Sequence, residues 1–103
     1  MLNTFENKIA VITGAANGIG AALAHGFARQ GMTVVVADLD AAGAQKTATS
    51  IGSAAIAKSV DVANAESVQA LADFCFSELG QVDLLINNAG VFQGGLSWER
   101  SVD

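Results

Sequence analysis

Thr13-Gly14-Ala15-Ala16-Asn17-Gly18-Ile19-Gly20 stands between a short apolar run, Ile9-Ala10-Val11-Ile12, and a segment of helical periodicity. An unbroken apolar run of this length reads as a strand buried on both faces. From Gly18 to Gln30 the residues Ile19, Leu23 and Phe27 fall four apart on one helical face, and Gly31 occupies a C-terminal cap position. The glycines therefore join a strand to a helix, where free N–H groups and the positive end of the helix dipole face whatever lies above the strand. Gly14 lets the chain turn sharply off the strand. Gly18 and Gly20 remove Cβ atoms where a backbone could approach a pyrophosphate and where helix must pack near strand. The spacing is G-x-x-x-G-x-G. Taken alone, it equally suits a plain tight turn and helix start.

Strand and helix signals keep alternating downstream. Thr33 to Ala37 is rich in β-branched residues and reads as strand two. Ala41 to Ile51 is an alanine-rich helix closed by Gly52, and Ile56 to Val60 is a weaker third strand. Asn64 is placed to cap the next helix, with Glu66 in its first turn facing the positive dipole end. Val68, Leu71, Ala72, Cys75 and Leu79 form the buried stripe of that helix, and Gly80 ends it. Val82 to Ile86 is strand four. The pattern is βαβαβαβ, which implies a parallel sheet joined by right-handed crossovers, with 3-2-1-4 as the expected strand order. A Gly-rich stretch, Gly94-Gly95, follows, and then Ser97 to Asp103, which reads as the start of a further helix.

Polar residues cluster at the strand ends. Asp38 closes strand two, 18 residues after Gly20. An acid at that distance can accept both hydroxyls of an adenosine ribose, and it would repel a 2′-phosphate. Asn17 in the loop and Leu39 after the acid leave no nearby cation for such a phosphate, so NAD is expected over NADP. Asp38 or Asp40 could instead merely cap the following helix. Asp61-Val62 ends strand three, where a carboxylate can accept from an adenine amino group. A simple turn aspartate leading into Asn64 is the other reading. Asn87-Asn88-Ala89-Gly90 ends strand four, where the strand order reverses and ligands lie in such sheets. An ordinary Asn/Gly turn also fits it.

The bulk properties exclude several classes of partner. With 103 residues the chain is one domain's worth, and with half of them apolar and 15% charged it is built to form a core. A net charge of −5 disfavours nucleic acid and anionic membrane surfaces. No apolar stretch approaches the ~20 residues of a bilayer span, and residues 1–7 lack a signal-peptide layout. Cys75 is the only cysteine, which suits a reducing cytoplasm. Its place on an apolar stripe implies a buried, inert thiol. His25 falls off the Ile19/Leu23/Phe27 face and is expected to face solvent. Phe74 and Phe76 suit either the core or another subunit. Trp98 could line a substrate mouth or simply pack at a helix start. No His/Cys cluster has metal-ligand spacing.

These four motifs, in this order and spacing, resemble the short-chain dehydrogenase/reductase family over essentially the whole chain. The resemblance implies a doubly wound α/β sheet of the Rossmann type, of which residues 1–103 would be the N-terminal, cofactor-binding part. It implies NAD binding by Gly14, Asn17, Gly18, Ile19 and Gly20 at the pyrophosphate and by Asp38 at the ribose, with Leu39 after it also at the cofactor. Asp61 and Val62 would meet the adenine, and Asn88, Ala89 and Gly90 the floor near the second ribose. Asn87 would tie neighbouring strands together. The implied activity is oxidation or reduction of an alcohol/carbonyl pair, with a small-molecule alcohol or ketone as substrate and a homo-oligomer as the assembly. The family's serine, tyrosine and lysine would lie beyond position 103. The chain has no tyrosine, so no catalytic residue is assigned within it. A catalytically inert NAD(H)-binding module is the alternative. Strand four should be a sheet edge, with Leu84-Leu85-Ile86 apolar and only the helix from Asn64 to Gly80 available for one face.

Overall fold

A computed structural model describes residues 5–88. Its elements run β1 (Ile9–Thr13), α1 (Gly18–Arg29), β2 (Thr33–Asp38), α2 (Ala41–Ile51), β3 (Ala55–Ser59), α3 (Ala65–Phe74) and β4 (Leu84–Asn87), with a π-helical turn at Cys75–Leu79 extending α3. The four strands form one parallel sheet in the order β3-β2-β1-β4. This is the doubly wound α/β arrangement that the alternating pattern requires. The helices agree with their expected bounds almost to the residue. The third and fourth strands are displaced by one or two residues, because short apolar runs mark a strand's existence better than its ends.

Side-chain alternation along the two central strands divides the core. Ala10, Ile12, Val34 and Val36 face α1 and α2, meeting Ala24, Ala44 and Ala48. Val11, Val35 and Ala37 face α3, meeting Val68, Leu71 and Cys75. Two helices therefore cover one face and one covers the other. Leu84, Leu85 and Ile86 of β4 are half-buried, and among the described residues β4 is an edge of the sheet, a place where strands can pair with another chain.

Two expectations for α1 need correction. Its buried residues are Gly20 and Ala24, with Leu23 and Phe27 partly buried, whereas Ile19 is 72% exposed. Ile19 lines the cleft at the strand ends and belongs to neither core cluster, so the four-residue periodicity does not predict its burial. His25 is not simply solvent-facing either. It is half-buried, and its Nε2 lies 2.9 Å from Ser50 Oγ on α2. The reading of a face as solvent-exposed failed because a second helix packs beside it.

Asn64 caps α3 by accepting from the Ser67 N–H. The π-helical turn, with Gly80 N–H donating to the Cys75 carbonyl, has no signature in the periodicity. Phe74 packs on the α3-side core with Lys58 Nζ 4.1 Å from its ring centroid. Cys75 is fully buried, and burial raises its thiol from 9.0 to about 11, against a smaller lowering by the Lys58 charge. Thiol reagents at pH 8 should therefore label the native protein slowly and the denatured protein at once. Rapid native labelling would contradict the burial. The folded-state pKa is raised, so the thiol's contribution to stability is fully present below pH 9 and is lost as pH rises through about 11.

Candidate functional site

The expected residues converge at the C-terminal ends of the strands. A cleft of about 500 Å³ is lined by Gly14, Asn17, Gly18, Ile19, Asp38, Leu39, Val60, Asp61, Val62 and Asn88. It crosses the point between β1 and β4 where the strand order reverses, the usual ligand crevice of an open α/β sheet. Gly20 lies beneath it. Ala89, Gly90 and Trp98 fall outside the described residues.

The glycine loop is shaped by contact as well as by conformation. A Cβ on Gly20 would sit 2.1 Å from the Gly14 carbonyl oxygen and 2.8 Å from Asn88 Nδ2. No side chain fits there. Gly18, with φ +63°, has open space where its side chain would be. The first therefore permits close packing of helix on strand, and the second presents bare backbone to the cleft. Asn88 Nδ2 donates to the Gly14 carbonyl, and Thr13 Oγ1 donates to Asn87 Oδ1. These bonds tie the end of β4 to the end of β1, as expected for Asn87.

The three helix starts differ. Asp40 caps α2 by accepting from the Gly43 N–H, and Asn64 caps α3. The N-cap of α1, Asn17, makes no side-chain cap bond, and the first turn of α1 holds no acid. The orphan N–H groups of α1 thus meet the cleft without a protein acceptor from the cap side chain.

Asp38 is half-buried and does not cap α2. Its Oδ2 accepts from the Ala16 N–H at 3.0 Å and its Oδ1 from the Asp40 N–H at 2.9 Å. Two backbone donors thus orient a carboxylate that retains free lone pairs. Asp61 does make the local turn bond, its Oδ1 accepting from the Ala63 N–H, while it also lines the cleft. Both readings of Asp61 hold together.

Sequence reasoning missed Val60. It is buried beneath the cleft, and its N–H donates to the Asp38 carbonyl. Its position as the last apolar residue of strand three was the available signal. Leu39 and Ile19 are the two most exposed large apolar side chains among the described residues, at 73% and 72%, and both line this cleft. Among the described residues the lining holds two carboxylates and no basic side chain.

Among the described residues no helix is long and apolar enough to cross a membrane, and no group of His, Cys, Asp and Glu could hold a metal. A family model described as short chain dehydrogenase matches residues 8–102. The chain is 44% identical over 87 residues to galactitol 2-dehydrogenase of Agrobacterium fabrum, covering 84% of this chain and 34% of that protein. Its fold is similar to that of a hydroxysteroid dehydrogenase from Escherichia coli, with TM-score 0.80 and 41% identity over 86% of this chain and 39% of the other. It is likewise similar to a 3-ketoacyl-(acyl-carrier-protein) reductase from Brucella melitensis solved with NADH, with TM-score 0.77 and 41% identity, covering 80% and 34% of the two chains. The chain spans about a third of the length of galactitol 2-dehydrogenase and of the similarly matching D-threitol dehydrogenase of Mycolicibacterium smegmatis.

Proposed function

The chain belongs to the short-chain dehydrogenase family, and from that premise we propose that the protein is an NAD-dependent oxidoreductase acting on an alcohol/carbonyl pair. Residues 1–103 would be the N-terminal, cofactor-binding part of a single dinucleotide-binding domain. The observation that carries this reading is the single cleft at the strand ends, which unites an uncapped helix start with two oriented carboxylates.

The donor set fits a dinucleotide. The N–H groups at Asn17 to Gly20 suit the pyrophosphate, whose charge the α1 dipole favours. Asp38 suits the two hydroxyls of the adenosine ribose. Asp61 suits the adenine amino group, with Leu39 and Val62 as apolar walls. Asn88, followed by Ala89 and Gly90, suits the ribose next to the nicotinamide. The bound cofactor would supply hydride donor or acceptor chemistry at its nicotinamide ring. A general acid/base from outside residues 1–103 would move the substrate proton, since no tyrosine stands within them.

NAD is favoured over NADP because, among the described residues, the cleft lining carries Asp38 and Asp61 and no cation. A 2′-phosphate at Asp38 would meet a carboxylate already fixed by two N–H groups. The full-length protein should bind NADH at least about tenfold more tightly than NADPH, equivalent to roughly 1.4 kcal/mol. Fluorescence titration with both cofactors measures this, and equal affinities would overturn the assignment.

The absence of a tyrosine gives a second reading, a catalytically inert NAD(H)-binding module. The full-length protein separates the two. Alcohol-dependent appearance of NADH supports the enzyme, whereas tight NADH binding with no turnover across a panel of secondary alcohols and ketones supports the module. A small-molecule alcohol or ketone substrate, a cytoplasmic location and a homo-oligomeric assembly belong to the same proposal. The open β4 edge and the half-buried Leu84, Leu85 and Ile86 suit such an assembly.

A further inference from the structure

Thr47 is one of two buried polar side chains in the described core, 6% exposed, on a helix that supplies no cleft-lining residue. A buried helical threonine commonly turns its hydroxyl back onto its own helix. Here Oγ1 instead donates, at 3.0 Å, to the carbonyl of Ala16 in the glycine loop. The preceding peptide is held as well. Its N–H, that of Ala16, donates to Asp38 Oδ2, and the Ala15 N–H donates to the Ala37 carbonyl. The two peptide groups flanking Ala16 are thus bonded to β2 and α2 rather than to the strand and helix they connect. Packing reinforces the arrangement, since a Cβ on Gly43 of α2 would lie 2.8 Å from the Ala16 methyl.

Peptide planarity gives this a consequence for the cleft. In a trans peptide the C=O and the following N–H point in opposite directions. A hydroxyl that draws the Ala16 carbonyl toward α2 must turn the Asn17 N–H away from α2. Asn17 lines the cleft, and its N–H has no protein acceptor among the described residues. We propose that Thr47 is a positioning residue for the dinucleotide pyrophosphate. Its hydroxyl fixes the Ala16–Asn17 peptide so that the Asn17 N–H is presented to the anion. This rests on the dinucleotide reading of the cleft and adds a residue that touches no ligand.

The test uses the full-length protein and its Thr47→Val, Thr47→Ala and Thr47→Ser variants, titrated with NADH, ADP-ribose and adenosine. Val and Ala remove the hydroxyl, and Ser keeps it. Loss of the hydroxyl should weaken NADH and ADP-ribose by about tenfold, because the Asn17 N–H then has to be ordered by the ligand. Adenosine, which has no pyrophosphate, should keep its affinity, and Ser should restore the other two. In the parent protein the Asn17 amide resonance should shift on adding ADP-ribose, a readout that needs no variant to fold. An unmoved Asn17 resonance would overturn the proposal. So would ADP-ribose affinity in folded Val or Ala variants equal to the parent's, or parallel losses for adenosine and ADP-ribose. If the parent itself binds neither NADH nor ADP-ribose, the dinucleotide reading falls and this assignment falls with it.

Discussion

Gly20→Ala should weaken NADH binding by roughly 10- to 100-fold and destabilise the fold by about 1–3 kcal/mol, the range for overpacking a site that cannot relax. The added methyl would lie 2.1 Å from the Gly14 carbonyl oxygen, which is backbone and cannot swing aside as a side chain would. Relief requires α1 to lift from β1 or the loop to flatten, and either movement displaces the N–H groups at the cleft. The Asn88 bond to Gly14 would be disturbed in the same movement. Gly26→Ala is the matched control. It lies on the same helix with nothing near its missing side chain, so alanine should stabilise by about 0.5–1 kcal/mol through helix propensity. Thermal melts and NADH titrations of both variants give the comparison. Wild-type affinity and stability in Gly20→Ala would show that the helix does not sit this close to the strand.

Asp38→Ala should narrow the preference for NADH over NADPH from both sides. NADH loses charge-assisted hydrogen bonds to its ribose, worth roughly 1.5–3 kcal/mol or about 10- to 100-fold in Kd. NADPH is relieved of repulsion and should bind no worse than before. The structure adds a cost beyond the ligand. Asp38 also accepts from the Ala16 and Asp40 N–H groups, so alanine leaves two backbone donors without their acceptor. Stability should fall by about 1 kcal/mol or more. Asp38→Asn retains an acceptor oxygen and should recover part of the stability with little of the ribose affinity. An unchanged ratio of NADH to NADPH affinity in Asp38→Ala would exclude this residue as the determinant.

The architecture was legible because its signals are local. Buried parallel strands read as unbroken apolar runs such as Ile9–Ile12, helix ends carry Asn64 and Gly52, and alternation of the two periods leaves only a parallel sheet. The strand-end motifs were legible too, since Gly, Asp and Asn stood where the apolar runs stop. The family resemblance also implied that Asn87 would join strands, which its bond from Thr13 does.

Tertiary structure decided what depends on which elements become neighbours. Ile19 and Leu23 share one helical face, yet only Leu23 reaches the core, because Ile19 lies at the cleft instead. His25 lies off the apolar stripe but meets Ser50 because α2 packs beside α1. The π-helical turn at Cys75–Leu79 leaves no mark on residue spacing. Asp38 could be read from its position, but its bond to Ala16, 22 residues away, could not, and neither could the donation of Thr47 across 31 residues. Periodicity records which side of a strand or helix is apolar. It holds no record of the partner a polar atom finds when two such sides pack together, and in this protein those partners hold the glycine loop in place.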